Sequence, residues 1–149
     1  MSAALGIFLL ISTVFSTHFE FDATITCDLP VFWCYKWQFW EKNLGPDQAI
    51  SISKLTCTEN NTVTTFGMGD HESWFLTHFE TFYEPYALLL HNCGTGKFVR
   101  EMIHYLEPVP RNTTEMSYNI TLNATNNGQV VRTFNTICSG AEEWVHINC

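Results

Sequence analysis

The sequence predicts an all-β domain folded as a two-sheet β-sandwich. Three observations carry that expectation. Hydrophobic residues recur with a period of two rather than 3.6. The runs are short, about seven or eight in number, and turn-forming residues separate them. The chain has 149 residues, 46% of them hydrophobic, which suits one domain with one core.

Each element has its own signal. In Tyr35, Trp37 and Phe39 the large aromatics alternate with Lys36 and Gln38. One face of that strand can therefore be core and the other wet, with Trp40 on the wet side. Leu44-Gly45-Pro46-Asp47 turns the chain. Ile50 and Ile52 then alternate with Ser51 and Ser53. Residues 58–62 are polar and Asn-rich, a turn, and residues 62–68 are β-branched and aromatic, a strand. Residues 73–86 break the pattern. Trp74, Phe75, Phe79, Phe82 and Tyr83 are spaced partly by three and four, which predicts a short helical or aromatic loop insertion.

Residues 86–90 form a solid apolar run ending at His91-Asn92-Cys93, the pattern of a strand buried on both faces. Gly94-Thr95-Gly96 turns again. Val99, Ile103 and Tyr105 then alternate with Arg100 and His104. Pro108 and Pro110 interrupt the chain. Met116, Tyr118, Ile120 and Leu122 alternate with polar residues. Asn126-Asn127-Gly128 is a hairpin signal, and residues 130–138 read as the last strand.

The ends and the cysteines agree on an oxidising compartment. Residues 3–11 are almost unbroken apolar sequence, and small residues follow at positions 12–16. That is a signal peptide with cleavage after Ser16, too short for a transmembrane span. Residues 17–149 are then one domain, secreted and extracellular. All six cysteines lie in it: Cys27, Cys34, Cys57, Cys93, Cys138 and Cys149. An even number in a short secreted chain reads as a disulfide framework whose pairing the sequence leaves open. No C-x-x-C pair suggests a metal site, so no metal is expected. Four N-glycosylation sequons start at Asn60, Asn112, Asn119 and Asn123, each of which must face water. Three of them crowd into residues 112–123, so that face is not expected to bind a protein partner.

Charge narrows the partners. The chain carries 7 basic and 15 acidic residues, a net charge of −8. No basic stretch can neutralise phosphates, which counts against nucleic acid and against simple electrostatic docking on anionic lipid.

Several segments, in order, carry a family resemblance: Thr24-Ile25-Thr26-Cys27, Trp40-Glu41-Lys42-Asn43, Val63-Thr64-Thr65-Phe66-Gly67, Glu84-Pro85-Tyr86, and the aliphatics leading to His91-Asn92-Cys93. Together they resemble the transthyretin-like family of secreted nematode proteins over about residues 23–106. Two departures stand out. Cys57 replaces an Asp before the turn at Asn60-Asn61, and the extra Cys that usually follows the His-x-Cys strand is absent. The resemblance implies a transthyretin-like (immunoglobulin-like) sandwich that binds or signals outside the cell without catalysis. The same fold serves a hydrolase ending in Tyr-Arg-Gly-Ser, whereas this chain ends in His146-Ile147-Asn148-Cys149, so that activity is not implied.

The remaining motifs offer little catalytic chemistry. Asp70-His71-Glu72 combines two carboxylates and an imidazole, but strand neighbours face opposite ways. His91 and His104 lie in or near strands and read as structural, with His91 bracing the strand end beside Cys93. No nucleophile elbow, zinc-protease motif or phosphate loop occurs, so no catalytic residue and no cofactor is expected. The aromatic content of 15% points instead to an exposed apolar patch. Trp40, Phe79, Phe82 and Tyr83 are the candidate binding residues, and the partner is an extracellular protein or a cell-surface lipid. The competing function is a secreted carrier of a small apolar ligand.

Overall fold

The computed structural model describes residues 16–72, 81–96 and 98–133. These residues form eleven strands and no helix. In chain order they are β1 (Ser16–Thr26), β2 (Trp33–Glu41), β3 (Gln48–Ile52), β4 (Thr56–Thr58), β5 (Thr62–Glu72), β6 (Phe82–Tyr83), β7 (Pro85–His91), β8 (Phe98–Tyr105), β9 (Val109–Pro110), β10 (Glu115–Asn123) and β11 (Gln129–Thr133). One sheet has three strands in the order β10-β1-β5. The other has six, in the order β11-β8-β7-β2-β3, with β4 also paired to β2. A small ribbon, β6-β9, stands apart.

The two large sheets pack face to face, because each has one apolar face to bury. From the three-stranded sheet, β1 contributes Phe19, Phe21, Ala23 and Ile25, and β10 contributes Tyr118 and Ile120. From the other sheet, β2 contributes Trp33, Tyr35, Trp37 and Phe39, and β7 contributes Ala87 and Leu89. Phe21 and Phe39 stack across the sandwich with centroids 3.8 Å apart. The aromatic alternation of β2 thus has the inward phase its sequence announces.

Two disulfides hold the frame. Cys27, just after β1, bonds Cys93, just after β7, and so ties one sheet to the other. Cys34 of β2 bonds Cys57 of β4, its register partner. Cys138 and Cys149 lie outside the described residues, as do residues 1–15 of the expected signal peptide.

Several expectations need correction. The alternation in β8 is present, but its apolar set does not face the core between the sheets; Val99 is buried beside Cys34 instead. Leu89 pairs with Met102 and Ala87 with His104, so Arg100, Met102 and His104 face the interior. Ile103 and Tyr105 face out, 50% and 67% exposed. The run from Tyr86 to Leu90 is not buried on both faces: Ala87 and Leu89 are buried, while Tyr86, Leu88 and Leu90 are half-buried on the outer face. Ile50 and Ile52 do not share a face. A bulge between Phe39 and Trp40 of the partner strand shifts the register, so Ile50 packs on the core while Ile52 opposes Gln38 on the outside. Asn126-Asn127-Gly128 joins β10 to β11, which belong to different sheets, so it is a crossover turn rather than a hairpin. Its chemistry is that of a tight turn all the same, with Asn126 at φ 54° and Gly128 at φ 85°. Of the expected helical or aromatic insertion, residues 73–80 lie outside the described residues, and Phe82–Tyr83 is a strand.

Candidate functional site

The outer face of the six-stranded sheet is the candidate site. On β2 the outward positions are Lys36, Gln38 and Trp40. On β7 they are Tyr86, Leu88 and Leu90, and on β8 Glu101, Ile103 and Tyr105. Register sets these residues in rows. Trp40 pairs with Tyr86, which pairs with Tyr105. Gln38 pairs with Leu88 and with Ile52, and Leu88 pairs with Ile103. An aromatic row therefore runs beside an aliphatic one across adjacent strands, which are about 4.8 Å apart.

Hydrogen bonds at its rim fix the rings. Tyr86 Oη donates to Asp47 Oδ2 at 2.8 Å. Burial, and then that carboxylate, push the Tyr86 phenol well above its usual range, so it stays a neutral donor. Trp40 Nε1 donates to Gln38 Oε1 at 3.0 Å. The Tyr86 and Tyr105 centroids lie 6.0 Å apart. Ile52 at 52% exposed, Ile103 at 50% and Tyr105 at 67% meet solvent. On the central strands this face has one cation, Lys36, and one anion, Glu101. It is close to neutral in a protein of net charge −8.

The outer face of the three-stranded sheet differs in charge, although it too exposes apolar side chains, Phe66 at 49% and Met68 at 54%. Register places Glu20, Asp22, Asp70, Glu72 and Glu115 there, with His18 among them. His18 Nδ1 lies 2.7 Å from Asp70 Oδ1, and its Nε2 lies 3.9 Å from Glu20 Oε1. The hydrogen bond with Asp70 is the largest cause that raises the imidazole above its ordinary value. Asn119 and Asn123 project from this same face. All four sequon asparagines, Asn60, Asn112, Asn119 and Asn123, are exposed.

Asp70, His71 and Glu72 do not converge. Asp70 and Glu72 point outward, while His71 points in and is 5% exposed. His71 meets Tyr83 edge to face at 5.4 Å. Tyr83 also receives the Arg111 guanidinium 4.6 Å above its ring, and Arg111 Nη2 lies 3.9 Å from Glu41 Oε1. Glu41 is fully buried at the end of β2 and accepts a hydrogen bond from the Glu84 amide at 3.1 Å. These groups form a buried polar clamp that joins β2, β5, β6 and the chain after β9. Nothing local in the chain signals it, because Glu41 and Arg111 are far apart in sequence and each reads as a surface charge. Among the described residues, no group of three His, Cys, Asp or Glu side chains is placed to hold a metal ion.

Of the predicted binding residues, Trp40 lies on the outer face. Tyr83 is corrected: it is completely buried against Phe19 and His71 and is not available to a partner. Phe82 is 49% exposed but belongs to the β6-β9 ribbon, opposite Pro110, apart from the six-stranded sheet. Phe79 lies outside the described residues. Ile103 and Tyr105 are not distinguishable in the sequence as surface residues, because their apolar character matches that of core positions. His91 is completely buried. Burial and then Arg100 lower its imidazole to about 4. No helix among the described residues is long and apolar enough to cross a membrane. No protein-family model, no curated protein and no solved structure matches the chain.

Proposed function

We propose that this chain is a secreted, N-glycosylated, disulfide-bonded extracellular binding protein of the transthyretin-like type, acting without catalysis. Its recognition surface is the outer face of the six-stranded sheet, and its partner is an extracellular protein. One observation carries the reading: acid and sequons divide the two outer faces, while Phe66 and Met68 are the exposed apolar residues of the acidic one. The sequons at Asn119 and Asn123, together with most of the acid on the sheets, occupy the three-stranded face. The opposite face is near-neutral and offers Trp40, Tyr86, Ile103 and Tyr105. Aromatic side chains held by rim hydrogen bonds suit protein interfaces, since they bury much area at little cost in conformational freedom. The two disulfides and the absence of a membrane-spanning helix among the described residues are compatible with secretion. The interior supports binding over carriage of a ligand, because stacked rings such as Phe21 and Phe39 fill the space between the sheets.

The test uses residues 17–149 made in a secretory host. Binding to intact cells is compared with binding to vesicles of phosphatidylcholine and phosphatidylserine. Saturable, protease-sensitive binding to cells that Tyr105→Glu abolishes is expected. Binding to vesicles alone, or binding unchanged by Tyr105→Glu and Ile103→Glu together, overturns this reading.

A further inference from the structure

Open sheet edges are a hazard, because unpaired backbone N–H and C=O groups template pairing with another chain. Three of the four edges of the two large sheets carry a visible defence. β11 bulges between Val130 and Arg132. On the far flank of the same sheet, the edge is broken into two short strands, β3 and β4, and β3 carries the bulge opposite Phe39 and Trp40. β5 lies tight against the facing sheet. A Cβ added at Gly67 would come 2.9 Å from Phe39 Cε2, and one at Gly69 would strike the Ile50 carbonyl. The outward side of β5 carries the charges of Asp70 and Glu72, which oppose pairing with another strand.

β10 has none of these devices. It runs nine residues, pairs with β1 in unbroken register from Glu115 to Asn123, and has no strand on its other side among the described residues. Its sequence alternates Met116, Tyr118, Ile120 and Leu122 with outward Ser117, Asn119 and Thr121. Beyond Glu115 it has no charge, no proline and no bulge. Such a strand invites in-register pairing. What it has instead are two exposed sequon asparagines, Asn119 and Asn123, both on the outward side. Four residues of strand place them about 13 Å apart.

We propose that N-linked glycans on Asn119 and Asn123 act as the edge guard of the three-stranded sheet, keeping a second copy of this chain from pairing with β10. The proposal rests on the glycosylation in the function proposed above. The local geometry accommodates the modification. Asn123 Nδ2 donates to Asp28 Oδ2 at 2.8 Å, and a glycosylated amide keeps one N–H for that bond. A glycan beside an edge strand blocks in-plane approach through bulk, and no salt concentration screens it.

The experiment compares residues 17–149 from a secretory host with the double variant Asn119→Gln/Asn123→Gln and the control Asn60→Gln/Asn112→Gln. Glycopeptide mass spectrometry reads occupancy, and sedimentation velocity reads association. Trimming the folded wild-type protein with an endoglycosidase repeats the comparison without a substitution. The expected result is a monomer for the wild type and the control, and dimers or larger species for the double variant. Adding Thr121→Lys, a charge on the bare edge, should restore the monomer. Unoccupied Asn119 and Asn123 would overturn both this inference and the glycosylation it rests on. Occupied sites with a double variant and a trimmed protein that stay monomeric would overturn the edge guard alone.

Discussion

Cys27 and Cys93 bond across the sandwich with their Cα atoms 5.9 Å apart, one closing the central strand of the three-stranded sheet and the other the end of β7. The bond spans 66 residues, whereas Cys34–Cys57 spans 23 within one sheet. Closing a longer loop removes more unfolded-state entropy, about 4 kcal/mol against about 3 kcal/mol on the chain-entropy scale. Cys27→Ala/Cys93→Ala should therefore destabilise more than Cys34→Ala/Cys57→Ala. Urea unfolding of both variants checks the order, and equal midpoints would contradict it.

Gly67 and Gly69 are where β5 meets the opposite sheet most closely. A methyl at Gly67 meets the edge of the Phe39 ring, a side chain that can tilt away. A methyl at Gly69 meets the backbone carbonyl of Ile50, which cannot move without shifting β3. Overpacking of this kind costs about 1–3 kcal/mol. Gly69→Ala should fall at the top of that range and Gly67→Ala near the bottom, read as the drop in thermal midpoint. If Gly69→Ala is neutral, the sheets do not approach as described.

The architecture was largely legible in the sequence, and the sidedness was not. β2 declared its phase because Lys36 and Gln38 contrast sharply with the aromatics between them. β10 did the same through Asn119 and Thr121. In β8 both sets of side chains are ambiguous. Its outward Ile103 and Tyr105 are as apolar as core residues, and its inward Arg100 and His104 are polar groups held within the fold. Alternation gives a period but no sign when the solvent face is itself apolar. The bulge that parts Ile50 from Ile52 depends on pairing with β2, and local sequence does not encode it. Tyr83 and Trp40 looked alike as aromatics, and only long-range packing with Phe19 and Arg111 separates them.

His91 and His18 should shape the pH dependence in opposite senses. His91 sits at about 4 in the folded protein through burial and the nearby Arg100, below its ordinary 6.5. The unfolded state therefore binds the proton more readily. This contribution is complete above pH 6.5 and is lost as pH falls toward 4, by roughly 3 kcal/mol at most. His18 is raised by its hydrogen bond with Asp70. Its small contribution is complete below pH 6.5 and fades as pH rises through the folded value. Denaturant midpoints from pH 7 to 4 should fall less steeply in His91→Gln. In an NMR titration, Asp70→Asn should move the His18 midpoint down toward 6.5. A His18 midpoint indifferent to Asp70→Asn would remove the pair.

Tyr83 and Tyr105 give the sharpest separation of stability from recognition. Tyr83 is fully buried between Phe19, His71 and Arg111. Replacing it with Ala leaves a large cavity and should cost about 3–5 kcal/mol. Tyr105 is 67% exposed, and its ring touches only Tyr86 among the aromatic neighbours described. Tyr105→Ala should change stability by no more than about 0.5 kcal/mol. An anchor near the middle of an interface nonetheless costs about 2 kcal/mol or more of binding when truncated. Tyr105→Ala should therefore weaken cell binding at least about 30-fold with an unchanged melting curve. Tyr83→Ala, assayed well below its lowered midpoint, should bind as the wild type does. The reverse pattern, with recognition lost through Tyr83 and kept without Tyr105, would move the recognition surface off the six-stranded sheet.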